Sequence, residues 1–119
     1  MENKLKAVIL DAATLGGDID LSPLSVNCNV IKYDISLPQE VAERILDCDV
    51  VVLNKVKLNE SNLTAAKSLK LICVAATGFD NIDTEYCKNH NIAVCNVSGY
   101  SGYSVAQVTA AMVLSMSVH

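Results

Sequence analysis

Val50-Val51-Val52-Leu53, followed at once by Asn54-Lys55-Val56, is the stretch on which the reading of the fold turns. A short, wholly apolar run of this kind reads as a strand buried on both faces, as in a parallel sheet. The pattern recurs on either side of it. Ala7-Val8-Ile9-Leu10, ending at Asp11, is a first strand, and Val30-Ile31 centres a second that ends near Tyr33 and Asp34. Residues 71–75 and 93–97 supply a fourth and a fifth.

The intervening stretches are mostly helical in period. A loop at Gly16, Gly17 and Asp18 and a turn around residues 21–24, broken by Pro23, lie between the first two strands. Ser36-Leu37-Pro38-Gln39 has capping-box spacing, so Ser36 and Gln39 are expected to satisfy each other's amides. Val41, Ala42, Ile45 and Leu46 then recur at helical spacing, as do Leu63, Ala66 and Leu69 further on. A short helix is expected over about residues 83–89. Right-handed crossovers then predict an α/β fold: an open, parallel, five-stranded flavodoxin-like sheet of order 2-1-3-4-5 with helices on both faces.

Composition agrees with that architecture. The chain is 51% hydrophobic but only 4% aromatic, so its core is built from Val, Ile, Leu and Ala. A net charge of −4, with Arg44 the single arginine, gives no electrostatic support to a nucleic-acid partner. The five cysteines contain no C-x-x-C pair, and no signal peptide is visible, which points to a reducing cytoplasm. His90 and His119 have no ligands at suitable spacing, so no metal site is expected.

The last element differs in kind. Ser104-Val105-Ala106-Gln107 reads as a second capping box opening a helix that runs to the end, and no residue from Val97 to Val118 is charged. Val105, Val108, Met112 and Met116 form one stripe, while Ala106, Ala110, Ala111, Val113 and Leu114 cover the other sides. A helix apolar nearly all round is normally buried on several faces. Its length and its polar interruptions speak against a membrane span. It is expected to need another domain or another chain.

Ligands of open α/β sheets bind beyond the carboxyl ends of the strands. Three segments lie there. Lys55 follows the third strand. Residues 75–83 follow the fourth, where Gly78 is expected to let the backbone turn and expose amides to an anion. Asp83 is placed to cap the next helix, and Asp80 to serve the turn. After the fifth strand, residues 96–107 combine a turn, a projecting Tyr100 and a helix start.

In order and spacing, A-A-T-G-F-D-N-I-D (75–83), H-N-I-A-V-C-N-V-S-G-Y-S (90–101) and S-V-A-Q (104–107) resemble the D-2-hydroxyacid dehydrogenases. N-K-V after the third strand and D-L-S-P-L near position 22 resemble the glycerate dehydrogenase or hydroxypyruvate reductase branch. The resemblance implies the substrate-binding domain of an NAD(P)-dependent oxidoreductase interconverting D-2-hydroxy acids and 2-oxo acids, with glycerate/hydroxypyruvate or glyoxylate as substrates. It implies a division into a substrate-binding domain, 1–100, and an interdomain helix, 101–119, leading into a nucleotide-binding domain outside the chain.

Residue by residue, it implies that the amides of Thr77 and Gly78 hold the substrate carboxylate and that Lys55 and Val56 line the same pocket. Tyr100 would face the cleft, and Thr77 and Val105 would approach the nicotinamide. Gln107 stands where many members have Glu. The family's catalytic Arg, Glu and His match nothing here: Arg44, His90 and His119 do not correspond to them, and no G-x-G-x-x-G is present. The chain alone is therefore expected to transfer no hydride and to bind NAD or NADP poorly, with a homodimer expected of the full-length enzyme. The other reading is a stand-alone flavodoxin-like binding module that dimerises through its last helix. A phosphoacceptor receiver is disfavoured by Leu53-Asn54 where an acid is needed, and a flavodoxin by the single hydroxyl in residues 11–15.

Overall fold

Val8, Val51, Ile72 and Val94 stand side by side on four neighbouring parallel strands, and that row is the floor of the core. The computed structural model describes residues 3–118; His119 lies outside them. The strands are β1 (Leu5–Ile9), β2 (Cys28–Lys32), β3 (Val50–Leu53), β4 (Leu71–Val74) and β5 (Ala93–Cys95). They pair in parallel in the expected order β2-β1-β3-β4-β5. The helices are α1 (Pro38–Arg44), α2 (Glu60–Leu63), α3 (Thr84–Asn89) and α4 (Gly102–Ser117).

Alternation along the strands divides the sheet into two unequal faces. On one, Val8, Leu10, Val51, Leu53, Ile72 and Val74 pack against Val41 and Ile45, Leu63 of α2 and Cys87 of α3. Burying one such aliphatic side chain is worth roughly 1.5–3 kcal/mol, so this face supplies most of the stability. On the other, Ala7 and Ile9 are buried, but Val50, Val52, Leu71 and Cys73 are only half-buried and Ala93 and Cys95 are exposed. Right-handed crossover sends the β1–β2 connection over this second face. That connection consists of two 3-10 turns, Ala12–Leu15 and Ser22–Val26. Helical turns thus flank the sheet on both sides, with the α-helices α1–α3 on one.

Element boundaries depart from the sequence reading where caps decide them. α1 begins at Pro38, with Leu37 rather than Ser36 at its N-cap. The Glu40 carboxylate accepts the Leu37 N–H at 2.8 Å. Ser36 instead donates its hydroxyl to the Leu10 carbonyl at 2.6 Å and accepts from Arg44 Nη1 at 2.7 Å. Proline's preset φ favours the first helical position, so the start moves one residue past the box. α2 is a short helix capped by Asn59, whose side chain accepts the Ser61 N–H. Leu63, Ala66 and Leu69 are buried as expected, although turns rather than helix carry the last two. β5 stops at Cys95 instead of Val97, although the Val97 N–H still bonds the Ala76 carbonyl at 3.0 Å.

The second capping box is not formed. α4 starts at Gly102, so Ser104 and Gln107 lie within it, and no side chain caps its start. The Val105 N–H reaches the Ser101 carbonyl at 2.9 Å, which extends the helix back toward the turn at Gly99, where φ is +75°. Every residue of α4 is exposed. The molecule measures 62 × 31 × 24 Å, its long axis reflecting a helix that stands off the body. The cover that its apolar surface calls for does not come from the sheet.

Candidate functional site

The site is assembled from the loops that leave β1, β3, β4 and β5 at their carboxyl ends. Asp11, two residues beyond β1, is buried, and its carboxylate accepts three backbone amides of the loop after β3. Oδ1 takes the Asn54 N–H at 2.9 Å; Oδ2 takes those of Lys55 at 2.6 Å and Val56 at 3.1 Å. Hydrogen bonds to an ionised acceptor are about twice as strong as neutral ones, so Asp11 fixes this loop firmly. Asn54 Nδ2 adds a bond to Thr14 Oγ1 at 3.0 Å.

The far side of the same loop is held by the segment after β4. Asn81 Nδ2 donates to the Val56 carbonyl at 2.8 Å, the Leu58 N–H to the Asn81 carbonyl at 2.9 Å, and the Asp83 N–H to the Leu58 carbonyl at 2.9 Å. With its backbone fastened on both sides, the exposed Lys55 side chain projects from a rigid base. Among the described residues it forms no ion pair.

The loop after β4 is tied down in the same manner. The Ala75 N–H bonds the Leu53 carbonyl at 2.7 Å, the Val97 N–H bonds the Ala76 carbonyl at 3.0 Å, and Asn96 Nδ2 donates to the Thr77 carbonyl at 2.8 Å. Thr77 and Gly78 are exposed, and among the described residues their amides donate to no protein acceptor. Gly78 does not adopt a left-handed conformation. A Cβ there would meet only the Asp80 carboxylate, at an ordinary 3.6 Å. The turn therefore does not require glycine, contrary to the sequence reading; what a side chain would obstruct is approach to the amide from outside. Asp83 caps α3 as expected, accepting the Tyr86 N–H at 2.9 Å.

Of the residues singled out from the sequence, two pairs are brought together. Lys55 and Val56 line a cavity of about 470 Å³ with Asp11, Thr14 and Ser36. Thr77 and Gly78 sit beyond the neighbouring strand end and do not line it. Tyr100 and Val105 are 66% and 60% exposed, beside or on the projecting α4, and they do not line that cavity either. Asp11, Asn81 and Asn96 were not assigned a role in the sequence. The available signal was an acid placed immediately after four buried apolar residues.

Two groups with displaced ionisation, Cys48 and Asp49, lie toward the opposite edge. Burial pushes the Cys48 thiol up to about 11, with the Asp49 charge adding to it. The Asp49 carboxyl is lowered first by the Lys6 backbone N–H and then by Lys70. Among the described residues no three His, Cys, Asp or Glu side chains gather into a metal-binding group, and no helix is long and apolar enough to cross a membrane.

Known proteins resemble this chain in sequence and in fold. The chain is 31% identical to a hydroxypyruvate reductase of Blautia hydrogenotrophica, a match covering 97% of this chain and 37% of the relative. A glycerate dehydrogenase of Methylorubrum extorquens is 36% identical over 59% of the chain, which is 22% of that protein. Among solved structures, D-lactate dehydrogenase from Aquifex aeolicus, complexed with NAD and lactic acid, superposes with a TM-score of 0.76 at 26% identity. That match covers 92% of this chain and 33% of the other. The NAD+-bound 3-phosphoglycerate dehydrogenase of Entamoeba histolytica gives 0.75 at 28% identity, over 93% and 38%. These matches thus cover only 22% to 38% of the relatives' own lengths. The profile of the D-isomer specific 2-hydroxyacid dehydrogenase catalytic domain matches residues 8–116, from β1 to the last turn of α4. The family match over most of the chain and the relatives similar to it along nearly its whole length agree, and the chain belongs to the D-isomer specific 2-hydroxyacid dehydrogenases.

Proposed function

We propose that this chain is the substrate-binding part of an NAD(P)-dependent oxidoreductase that interconverts D-2-hydroxy acids and 2-oxo acids, with glycerate/hydroxypyruvate or glyoxylate as its substrates. The observation that carries this reading is the pair of unengaged amides at Thr77 and Gly78, held rigidly one strand away from the Lys55 loop. Oriented N–H groups and a nearby ammonium suit a carboxylate. In this reading Thr77 and Gly78 bind the carboxylate, while Lys55 and Val56, lining the adjoining cavity one strand over, set the charge beside it. Tyr100 faces the cleft from the α4 side, and Thr77 and Val105 approach the nicotinamide. The similarity to the hydroxypyruvate reductase of Blautia hydrogenotrophica supports the choice of hydroxypyruvate.

The residues present do not make a dinucleotide site by themselves. In a sheet of this order the phosphate position is the switch point between β1 and β3. The loop amides there already serve the Asp11 carboxylate, whose charge repels a phosphate. The cofactor therefore belongs with a second, nucleotide-binding domain. This supports a division into residues 1–100 and an interdomain helix, 101–119, whose exposed apolar surface that domain would cover. A homodimeric full-length enzyme in the cytoplasm completes the proposal, and the five unpaired cysteines suit that compartment.

The test is an NMR titration of the chain with hydroxypyruvate and glyoxylate, following the amides of Lys55, Thr77 and Gly78. Shifts confined to these loops are expected, and shifts scattered over the surface would sink the assignment. In the full-length enzyme, Lys55→Met should raise KM about tenfold with little change in kcat, as loss of uniform binding does. NAD(P)H oxidation by the 119-residue chain alone would overturn the two-domain account. One observation favours a second reading: the exposed α4 also suits a module that dimerises through this helix. Such a module would self-associate and show no loop shifts with either acid.

A further inference from the structure

The amides of Thr77 and Gly78 owe their direction to the segment that follows β5. Each N–H belongs to a peptide group whose carbonyl lies on the preceding residue. A trans peptide is planar, so its C=O and N–H point in opposite directions. Whatever holds the carbonyl therefore aims the amide.

Both carbonyls are held by two consecutive residues. The Val97 N–H donates to the Ala76 carbonyl at 3.0 Å, and Asn96 Nδ2 donates to the Thr77 carbonyl at 2.8 Å. The first bond aims the Thr77 N–H and the second the Gly78 N–H, each away from residues 96–97. β5 lies on one side of β4, and β3, whose loop carries Lys55, lies on the other. Successive amides turned the same way make a concavity that takes an anion. A donor on the carbonyl also polarises the peptide, which strengthens its N–H as a donor.

The two bonds differ in kind. A backbone N–H at position 97 is supplied by any residue except proline, whereas the bond to Thr77 depends on the side chain at 96. The β4–β5 ladder ends at the Cys73–Cys95 pair. Thr77 lies past it, and the Asn96 carboxamide supplies the donor there. An ionised Asp of the same shape would have no donor to offer.

We infer that Asn96 is a positioning residue for the carboxylate site, its side-chain amide fixing the Thr77–Gly78 peptide so that the Gly78 N–H faces the anion. It acts through Gly78 rather than on the substrate. The role rests on the reading of Thr77 and Gly78 as the carboxylate's donors.

The test compares wild type, Asn96→Ala and Asn96→Asp by NMR, first free and then titrated with hydroxypyruvate. Asn96 is exposed, so both variants should keep the wild-type far-UV circular dichroism. In the free chain, Asn96→Ala should change the residual dipolar coupling of the Gly78 N–H, which reports bond direction. The coupling of Leu58 should not move. On titration, Asn96→Ala should raise Kd roughly three- to tenfold, as loss of one neutral hydrogen bond does. Its Gly78 shift should shrink more than its Thr77 shift, because the Val97 bond remains. Asn96→Asp should bind more weakly still. An unchanged Gly78 coupling, or wild-type affinity in either variant, overturns the positioning role. Absence of shifts at both amides in the wild type overturns the carboxylate site itself, and the role of Asn96 with it. The coupling, measured without ligand, tells these two failures apart.

Discussion

β3 and α4 are made from the same kinds of residue, yet Val51 and Leu53 are wholly buried while Val113 and Leu114 stand 62% and 67% exposed. β3 is central, flanked by β1 and β4, and α1–α3 cover its inward face. Every residue of α4 is exposed. Apolar character shows that an element needs cover; it does not say whether the cover lies within the same body. A strand buried by its own crossovers carries the stability of the domain. A helix apolar on all sides carries an interface instead.

Substitution should separate these two roles. Leu53→Ala should have the largest effect, lowering unfolding free energy by about 2–5 kcal/mol, the range for a core Leu emptied to Ala. A urea titration checks it, and a loss under about 1 kcal/mol would remove β3 from the core. Asp11→Ala should follow, at about 2–3 kcal/mol, because it strands the loop amides that a charged acceptor had satisfied. Hydrogen exchange should accelerate at Asn54, Lys55 and Val56. Unchanged rates there would show that Asn81 alone holds the loop.

A smaller effect is expected in alkali. Burial raises the Cys48 thiol above its ordinary value of 9.0 to about 11. The folded state thus keeps a proton that the unfolded chain gives up. Stability from this group is complete below pH 9 and is lost as pH rises toward about 11. Cys48→Ala should flatten that part of the pH–stability curve, and an identical decline in the variant would assign it to other groups. The smallest effect belongs to α4. Met112→Lys should change unfolding free energy by no more than about 0.5 kcal/mol, as exposed substitutions do. Sedimentation should show weaker self-association in the variant. A large loss of stability would mean that α4 does pack against the body.

Much of the architecture was legible locally. The five apolar runs and their helical spacers were enough for strand order, and Asp83 before residues 84–89 was enough for a cap. The capping boxes at Ser36 and Ser104 misled because spacing does not show where a helix begins. Pro38 moved one start, and the turn at Gly99 allowed the other to extend. Lys55, Val56, Thr77 and Gly78 could be picked out because they follow adjacent strands. Asp11 could not, since an acid after a strand is commonly solvated and its partners here lie 43 to 45 residues away.

Residue chemistry within a few positions therefore decided which segments are strands, in what order they pair and which helix lacks charged residues to face water. Only the folded chain decided that the Asp11 carboxylate meets three distant amides, that one sheet face is left open toward β5, and that Cys73 and Cys95 lie side by side. Those outcomes depend on strand register, and register is set by the packing of the whole sheet rather than by any local run.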